Sequence, residues 1–341
     1  MSTLEWTAVR DCAPERLARI GAGLLAQMDE APGAAPRLVV AELAGDALVL
    51  GRHQRASSAL ALDAVAAAGL PIVRRAGGGR TVRAGAGTLG VLLAVPSIGA
   101  LLPAAVGADK VINRYVRGLL AGLTSVCGSG VHYFGRDFVS AEGRQVGVVS
   151  QDGTPGGAAL FEAIVGVERS LALEPAWNGY PAHADPRAAG PEAVALAALA
   201  KQPHAFDEIA PRIADGYARV YGCDAVPSAA ALPEGELPEP AVREDEAGWE
   251  ESGVADVAIG FAEALVRHDG AAVTDARLRG DFIAPAFAVR ALEARLAGCP
   301  LDFAAIGARV DAAFHQPGAA MIGLRSLRVL ADAVLAAAGR L

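Results

Sequence analysis

The chain has 341 residues, 53% of them hydrophobic, with a formal net charge of −8 and a pI near 5.3. So large an apolar fraction excludes disorder as the overall state, and the acidic balance speaks against nucleic acid as a partner. Four widely spaced cysteines (Cys12, Cys127, Cys223, Cys299) lack any CxxC or Cys/His metal spacing, no apolar signal core opens the chain, and charges interrupt the apolar runs before they reach bilayer length, so a cytoplasmic protein with reduced thiols and no membrane partner is expected.

Helical spacing of Leu17, Ile20, Leu24, Leu25 and Met28 predicts a helix over Ala13–Glu30. Arg37–Glu42 and Ala47–Gly51 read as a strand pair around the turn signal Gly45-Asp46. Ser57–Ala68 reads as a helix with Ser58 as N-cap and Gly69 as stop. Pro71–Arg75 and Thr88–Val95 read as strands, and Val106–Cys127 as a long helix. Tyr133–Ser140 and Arg144–Ser150 form a hairpin around Glu142-Gly143, and Ala158–Val167 adds a strand. Helices are expected over Pro191–Leu199 and Phe206–Tyr221, between loop-like stretches at Gly179–Pro186 and Ser228–Glu246. From Val254 a strand runs to Arg267, turns at His268-Asp269-Gly270 and returns to Leu278. Three helices follow, near Phe287–Ala297, Asp302–Phe314 and Leu324–Ala338. Strands and helices mix without regular βαβ alternation, which predicts an α+β fold, a mixed β-sheet flanked by helices.

The segment Arg74-Arg75-Ala76-Gly77-Gly78-Gly79-Arg80-Thr81 carries the most chemistry. Glycines let backbone amides approach a ligand closely, such amides can converge on an anion, and flanking arginines add planar donors for carboxylate or phosphate. A P-loop is excluded because no lysine follows the glycines. A dinucleotide fingerprint is excluded because a strand, not a helix, comes next. An anion cradle and a glycine-rich bend of purely structural use remain open on local chemistry.

The order Val49-Leu50-Gly51-Arg52-His53-Gln54, then Val73 to Arg80, then Gly135-Arg136-Asp137 and Glu142-Gly143-Arg144 to Gln151, closely resembles the lipoate–protein ligase family. The resemblance covers about the first 170 residues. It continues to the end, where Gly280-Asp281-Phe282 and Leu292–Phe303 look like the family's accessory domain. It implies the biotin/lipoate ligase fold, with residues 1–246 as catalytic domain (176–246 a connecting region) and 247–341 as an α+β accessory domain. It further implies ATP-dependent conversion of lipoate or octanoate to acyl-AMP, and transfer to a lysine of a lipoyl carrier domain. That carrier would be a 2-oxoacid dehydrogenase subunit or a glycine-cleavage H protein.

By resemblance, Arg52, Arg74, Arg75, Gly77, Gly78, Gly79, Arg80, Gly147 and Ser150 would hold the acyl-adenylate. Arg52 and His53 would lie at the rim, and Leu89, Val91 and Leu93 would line an acyl tunnel. Gln145 stands where the family places its catalytic lysine, keeping a donor but losing the charge. Asp137 replaces a family asparagine, which makes it a candidate magnesium ligand. The family's histidine falls near Arg83 or Ala84. Lys110 and Lys201, the only lysines, are candidates to replace the missing charge. Cys127 is the candidate nucleophile for an ATP-independent octanoyl or lipoyl transferase. A non-catalytic acyl-binding protein is the remaining alternative. Biotin ligase is poorly matched, because the Gly-Arg-Gly-Arg pattern is missing.

Overall fold

A computed structural model describes residues 2–102, 107–180, 191–200, 204–237, 249, 252–257 and 259–340. The first half holds β1 (Thr3–Cys12), α1 (Pro14–Glu30), β2 (Arg37–Leu43), β3 (Asp46–Leu50), α2 (Ala56–Ala59), α3 (Leu62–Ala67), β4 (Ile72–Arg74), β5 (Val82–Gly85) and β6 (Thr88–Val95). Then come α4 (Val111–Cys127), β7 (Val131–Tyr133), β8 (Phe138–Ala141), β9 (Arg144–Gly153), β10 (Ala159–Gly166), α5 (Phe206–Tyr221) and β11 (Asp224–Pro227). The C-terminal segment contains β12 (Ser252–Val257), β13 (Gly260–His268), β14 (Val273–Gly280), α6 (Ala286–Leu296), α7 (Phe303–Phe314) and α8 (Val329–Ala337).

The expected α+β architecture is present. An eight-stranded mixed sheet has the order β11-β1-β2-β6-β10-β9-β8-β7, with β1 parallel to both neighbours and the other pairs antiparallel. Strands alternate their side chains between two faces, and both faces of this sheet are covered. On β6, Leu89, Val91 and Leu93 pack into a core with α4 and α5. Their neighbours Leu92 and Ala94 pack into a second core with Leu17, Leu24 and Met28 of α1. A small sheet, β4-β3-β5, stands beside this one. The C-terminal segment encloses its own core between the β12-β13-β14 meander and α6 to α8.

Several elements depart from the sequence-based expectation. The β2 and β3 strands form but do not pair. β2 joins the large sheet between β1 and β6, and β3 joins β4 and β5. The 57–68 helix divides at Leu60, whose backbone bridges to Asn178, and Ser58 is no cap, because its hydroxyl donates to Glu263 at 2.9 Å. β5 was not expected, being short and glycine-flanked. Residues 191–199 contain one short 3₁₀ turn, Leu196–Ala198, instead of a helix. β10 leaves β9 after Val165 pairs with Gly147, and residues 192–194 take the vacated edge. There the Gln145 N–H donates to Glu192 O and the Val194 N–H donates to Gln145 O, each at 2.8 Å. The single strand expected from Val254 to Arg267 is two strands, β12 and β13. The Glu142-Gly143 turn is as expected, with both residues at positive φ (50° and 75°) in the manner of a tight two-residue turn, but the strand expected over Tyr133–Ser140 is broken at residues 134–137 into β7 and β8. Among the described residues no helix is long and apolar enough to cross a membrane.

Candidate acyl-adenylate site

The glycine turn follows β4 and lies over the sheet face that carries α1. Parity along β9 and β10 decides which side chains meet it. Ser150 and Glu162 are directly opposed across the two strands, and both point at Gly77. The Gly77 N–H donates to Glu162 Oε2 at 3.1 Å, and Ser150 Oγ donates to the same oxygen at 3.1 Å. A Cβ on Gly77 would overlap Ser150 Oγ, and one on Gly78 would overlap the backbone carbonyl of Phe282. Glycine is needed at both positions because of this approach.

The arginines are buried and committed. Arg74 Nη1 donates to the carbonyls of Gly51, Arg52 and Gln54 at 3.1, 3.0 and 2.6 Å, tying the turn to the Gly51–Gln54 loop. Arg75 donates to Val49 O and Gly78 O, and its Nε lies 4.0 Å from Glu162 Oε2. Burial pulls the Arg75 guanidinium below its usual range, opposed by the charges of Glu162, Asp137 and Asp281. Burial likewise pushes the Glu162 carboxyl above the carboxylate range, opposed by Arg75, the Gly77 amide and the Ser150 hydroxyl. Arg80 and Asp137 form a two-pronged buried pair, with Nε to Oδ2 at 2.5 Å and Nη2 to Oδ1 at 3.2 Å. Asp137 is therefore matched to a cation already, and this placement does not fit the magnesium-ligand role expected of it. Among the described residues no group of three His, Cys, Asp or Glu side chains is placed to hold a metal ion.

Arg52 opens onto solvent-accessible space. It lies 3.6 Å from Asp152 and lines a cleft of about 420 Å³ with Ala76 of the turn, Asp29 of α1, Thr154, and Phe287 and Arg290 of α6. His53 is not at the rim. It is buried, with Nε2 2.8 Å from Ala284 O and its ring stacked on Phe282 at 4.9 Å. Burial lowers its pKa to about 3, so the imidazole is neutral.

Gln54 Nε2 donates to Asp281 Oδ1 at 2.6 Å, while its Oε1 accepts from the Gly51 N–H and Thr81 Oγ. Asp281 also accepts from the Phe261 N–H at 3.0 Å, and the Gly79 N–H donates to Phe282 O at 3.1 Å. The C-terminal segment thus sits directly on the turn. Asp281→Ala leaves the Gln54 amide and the Phe261 N–H unpaired in a fully buried place. It is expected to cost about 2–6 kcal/mol, at roughly 1–3 kcal/mol per orphaned group. Urea unfolding checks this, and a loss under about 1 kcal/mol would contradict it.

Other expected residues lie elsewhere. Leu89, Val91 and Leu93 are in the core beneath α4 and α5, on the sheet face opposite Ala76. The same alternation puts Leu92, Val148, Leu160 and Ile164 on the turn's side. Gly147 belongs to the far face, where a Cβ would approach Val139 and Val165. Gln145 is half-buried at the start of β9, five residues before Ser150, or about 17 Å along an extended strand. Arg83 pairs with Asp46 and lies over the Trp177 ring, away from the turn. Lys110 is exposed and pairs with the adjacent Asp109 at 2.6 Å. Lys201 lies outside the described residues. Cys127 ends α4 inside the core, 3.2 Å from Ser129 Oγ.

Sequence reasoning did not single out Glu162, Gln54, Thr81, Asp152 or Asp281 as site residues. Glu162 had a visible signal, as the lone charge within the apolar run Ala158–Val167. Buried strand charges need partners, so a carboxylate set in an apolar strand marks a place where a cation or amide must meet it.

Residues 24–131 match the family model of the lipoyl protein ligase A/B catalytic domain. No curated protein matches the sequence. Among solved structures, the P. falciparum LipL1 in complex with lipoate is similar over 90% of this chain and 94% of its own, at 9% identity and a TM-score of 0.69. An archaeal bipartite lipoate protein ligase with its E2 lipoyl domain, from Thermoplasma acidophilum, covers 70% of this chain and 91% of its own, at 16% identity and a TM-score of 0.55. A lipoate-protein ligase A bound with ATP covers 70% and 93%, at 15% identity and a TM-score of 0.55. The chain carries a segment matching the lipoyl protein ligase A/B catalytic domain, set in the lipoate–protein ligase fold.

Proposed function

We propose that this chain activates lipoate or octanoate with ATP to an acyl-adenylate and passes the acyl group to a lysine of a lipoyl carrier domain. The observation that carries this reading is the junction of the glycine turn, Ser150 and the Arg52-lined cleft on one sheet face. Glycine amides suit a phosphate, and Leu25, Ala76 and Phe287 in the wall of the Arg52-lined cleft suit an acyl chain. A mixed anhydride also has to be kept from water, a role for the seated loop around Phe282. In this reading residues 1–246 form the catalytic unit and 247–341 an accessory unit, acting in the cytoplasm. The matched segment contains both the Gly51–Gln54 loop and the turn. ATP stands in the printed description of one structural neighbour, lipoate in another and a lipoyl domain in a third, which is the support for substrates and partner. No step is routed through magnesium, since Asp137 is bound to Arg80.

A second reading, acyl binding without activation, is favoured by one observation. Arg75 and Arg80 are both matched to buried carboxylates. The buried setting of Cys127 gives the thioester route no comparable support. Incubation with ATP, lipoate and a lipoyl domain, followed by mass spectrometry, separates the two. The ligase reading expects lipoyl-AMP and an ATP-dependent lipoylated domain. Lipoate binding with neither product would leave the binding protein standing instead.

A further inference from the structure

The cradle that an acyl-adenylate would use is already occupied by a carboxyl group of the chain itself. Glu162 Oε2 occupies the Gly77 amide and the Ser150 hydroxyl, 4.0 Å from Arg75 Nε. It is 1% exposed and the only acidic residue of β10. The nearby arginines are balanced in the same way, Arg80 by Asp137 and Arg52 by Asp152. Arg74 is spent on three backbone carbonyls and Arg290 lines the Arg52 cleft, which leaves Arg75 as the cation that Glu162 and an entering anion would share.

Resting on the acyl-binding reading above, we infer that Glu162 is a built-in competitor for the anion seat, so that a carboxylate or acyl phosphate enters the glycine turn only as Glu162 gives up its charge or its place. Two anions sharing one amide and one guanidinium in a dry site repel strongly, and the least costly relief is for one of them to hold a proton. The surroundings favour that outcome. Burial already disfavours the charged form of Glu162, and Asp152, two residues beyond Ser150 on β9, adds to it. The opposing groups are Arg75 from the turn, the Gly77 amide and the Ser150 hydroxyl. Asp137, Asp281 and Arg80 act on Arg75 from behind. An arriving anion competes for Arg75 and Gly77, the groups that hold Glu162 ionised. Glu162 therefore acts as a specificity-determining residue. It penalises an acid relative to the uncharged amide of the same acid, and it couples binding of the acid to proton uptake. The sign follows directly: affinity for the acid rises as pH falls, while affinity for the amide does not change.

The test is titration calorimetry of the full chain with lipoate and with lipoamide, at pH near 7 in two buffers of different ionisation enthalpy. The wild-type protein is expected to take up about one proton per lipoate and none per lipoamide. Glu162→Gln keeps an acceptor for the Gly77 amide. It is expected to abolish the uptake and to tighten lipoate about tenfold or more, with lipoamide changed less than about twofold. Lipoate binding by the wild type without proton uptake overturns the inference and needs no variant. So does a Glu162→Gln protein that binds lipoate no better than wild type, and both outcomes leave the acyl-binding reading intact. Failure of both ligands to bind either protein overturns that reading, and the inference with it.

Discussion

Replacing Asp137 with alanine is expected to destabilise the protein by about 3–5 kcal/mol, because it leaves the Arg80 guanidinium buried and uncompensated. The side chains of Arg80 and Asp137 are 8% and 2% exposed, so water cannot substitute for the lost carboxylate without opening the structure. The Tm should fall by about 4–7 °C for a chain of this size. The double variant Arg80→Met/Asp137→Leu should recover most of the loss, since burying neither charge is close to neutral compared with burying both. Thermal unfolding of the three proteins checks this. A single variant within about 2 °C of wild type would show that Arg80 finds another partner or solvent.

Gly77→Val is expected to reduce acyl-adenylate formation by at least about 10²-fold, the usual scale for shifting reacting groups by an ångström. The added side chain overlaps Ser150 Oγ and pushes the turn amide away from the sheet. The fold should lose only about 1–3 kcal/mol to the overpacking. Comparing lipoyl-AMP formation at saturating lipoate with circular dichroism separates the two effects. Wild-type rates from a folded Gly77→Val protein would remove the turn from the site.

The contrast between these variants follows what the sequence could and could not convey. Segment types were legible because their signals are local. The helix α5 and the strand β6 have the bounds that apolar spacing and turn residues indicate, and Glu142-Gly143 makes the turn its residues favour. Pairing was less legible. Gly45-Asp46 reads as a hairpin, yet β2 is captured by β1 and β6 while β3 goes to a second sheet, a choice set by residues distant in sequence. Residues 191–199 fail to form a helix because the free edge at Gln145 satisfies their backbone groups instead.

Face was the hardest to infer. β6 is apolar on both sides, so alternation gave no contrast with which to choose Leu89, Val91 and Leu93 or Leu92 and Ala94 as the side toward the turn. The arginines and glycines of the turn were legible as one segment, Arg74 to Arg80. Their electrostatic state was not, because Glu162, Asp137 and Asp281 arrive from β10, the β7–β8 connection and the C-terminal segment. A sequence displays the arginines of an anion site plainly and gives little sign of the carboxylates that balance them.

The central claim is that acyl-adenylate occupies the α1-side sheet face beneath the glycine turn. A crystal structure with a non-hydrolysable lipoyl-adenylate analogue tests it most directly. The expected result is the phosphate against the Gly77 amide, with Glu162 displaced or within hydrogen-bond reach as a protonated donor, and the acyl chain along Leu25, Ala76 and Phe287 of the cleft. Analogue bound on the opposite face, along Leu89, Val91 and Leu93, would contradict it.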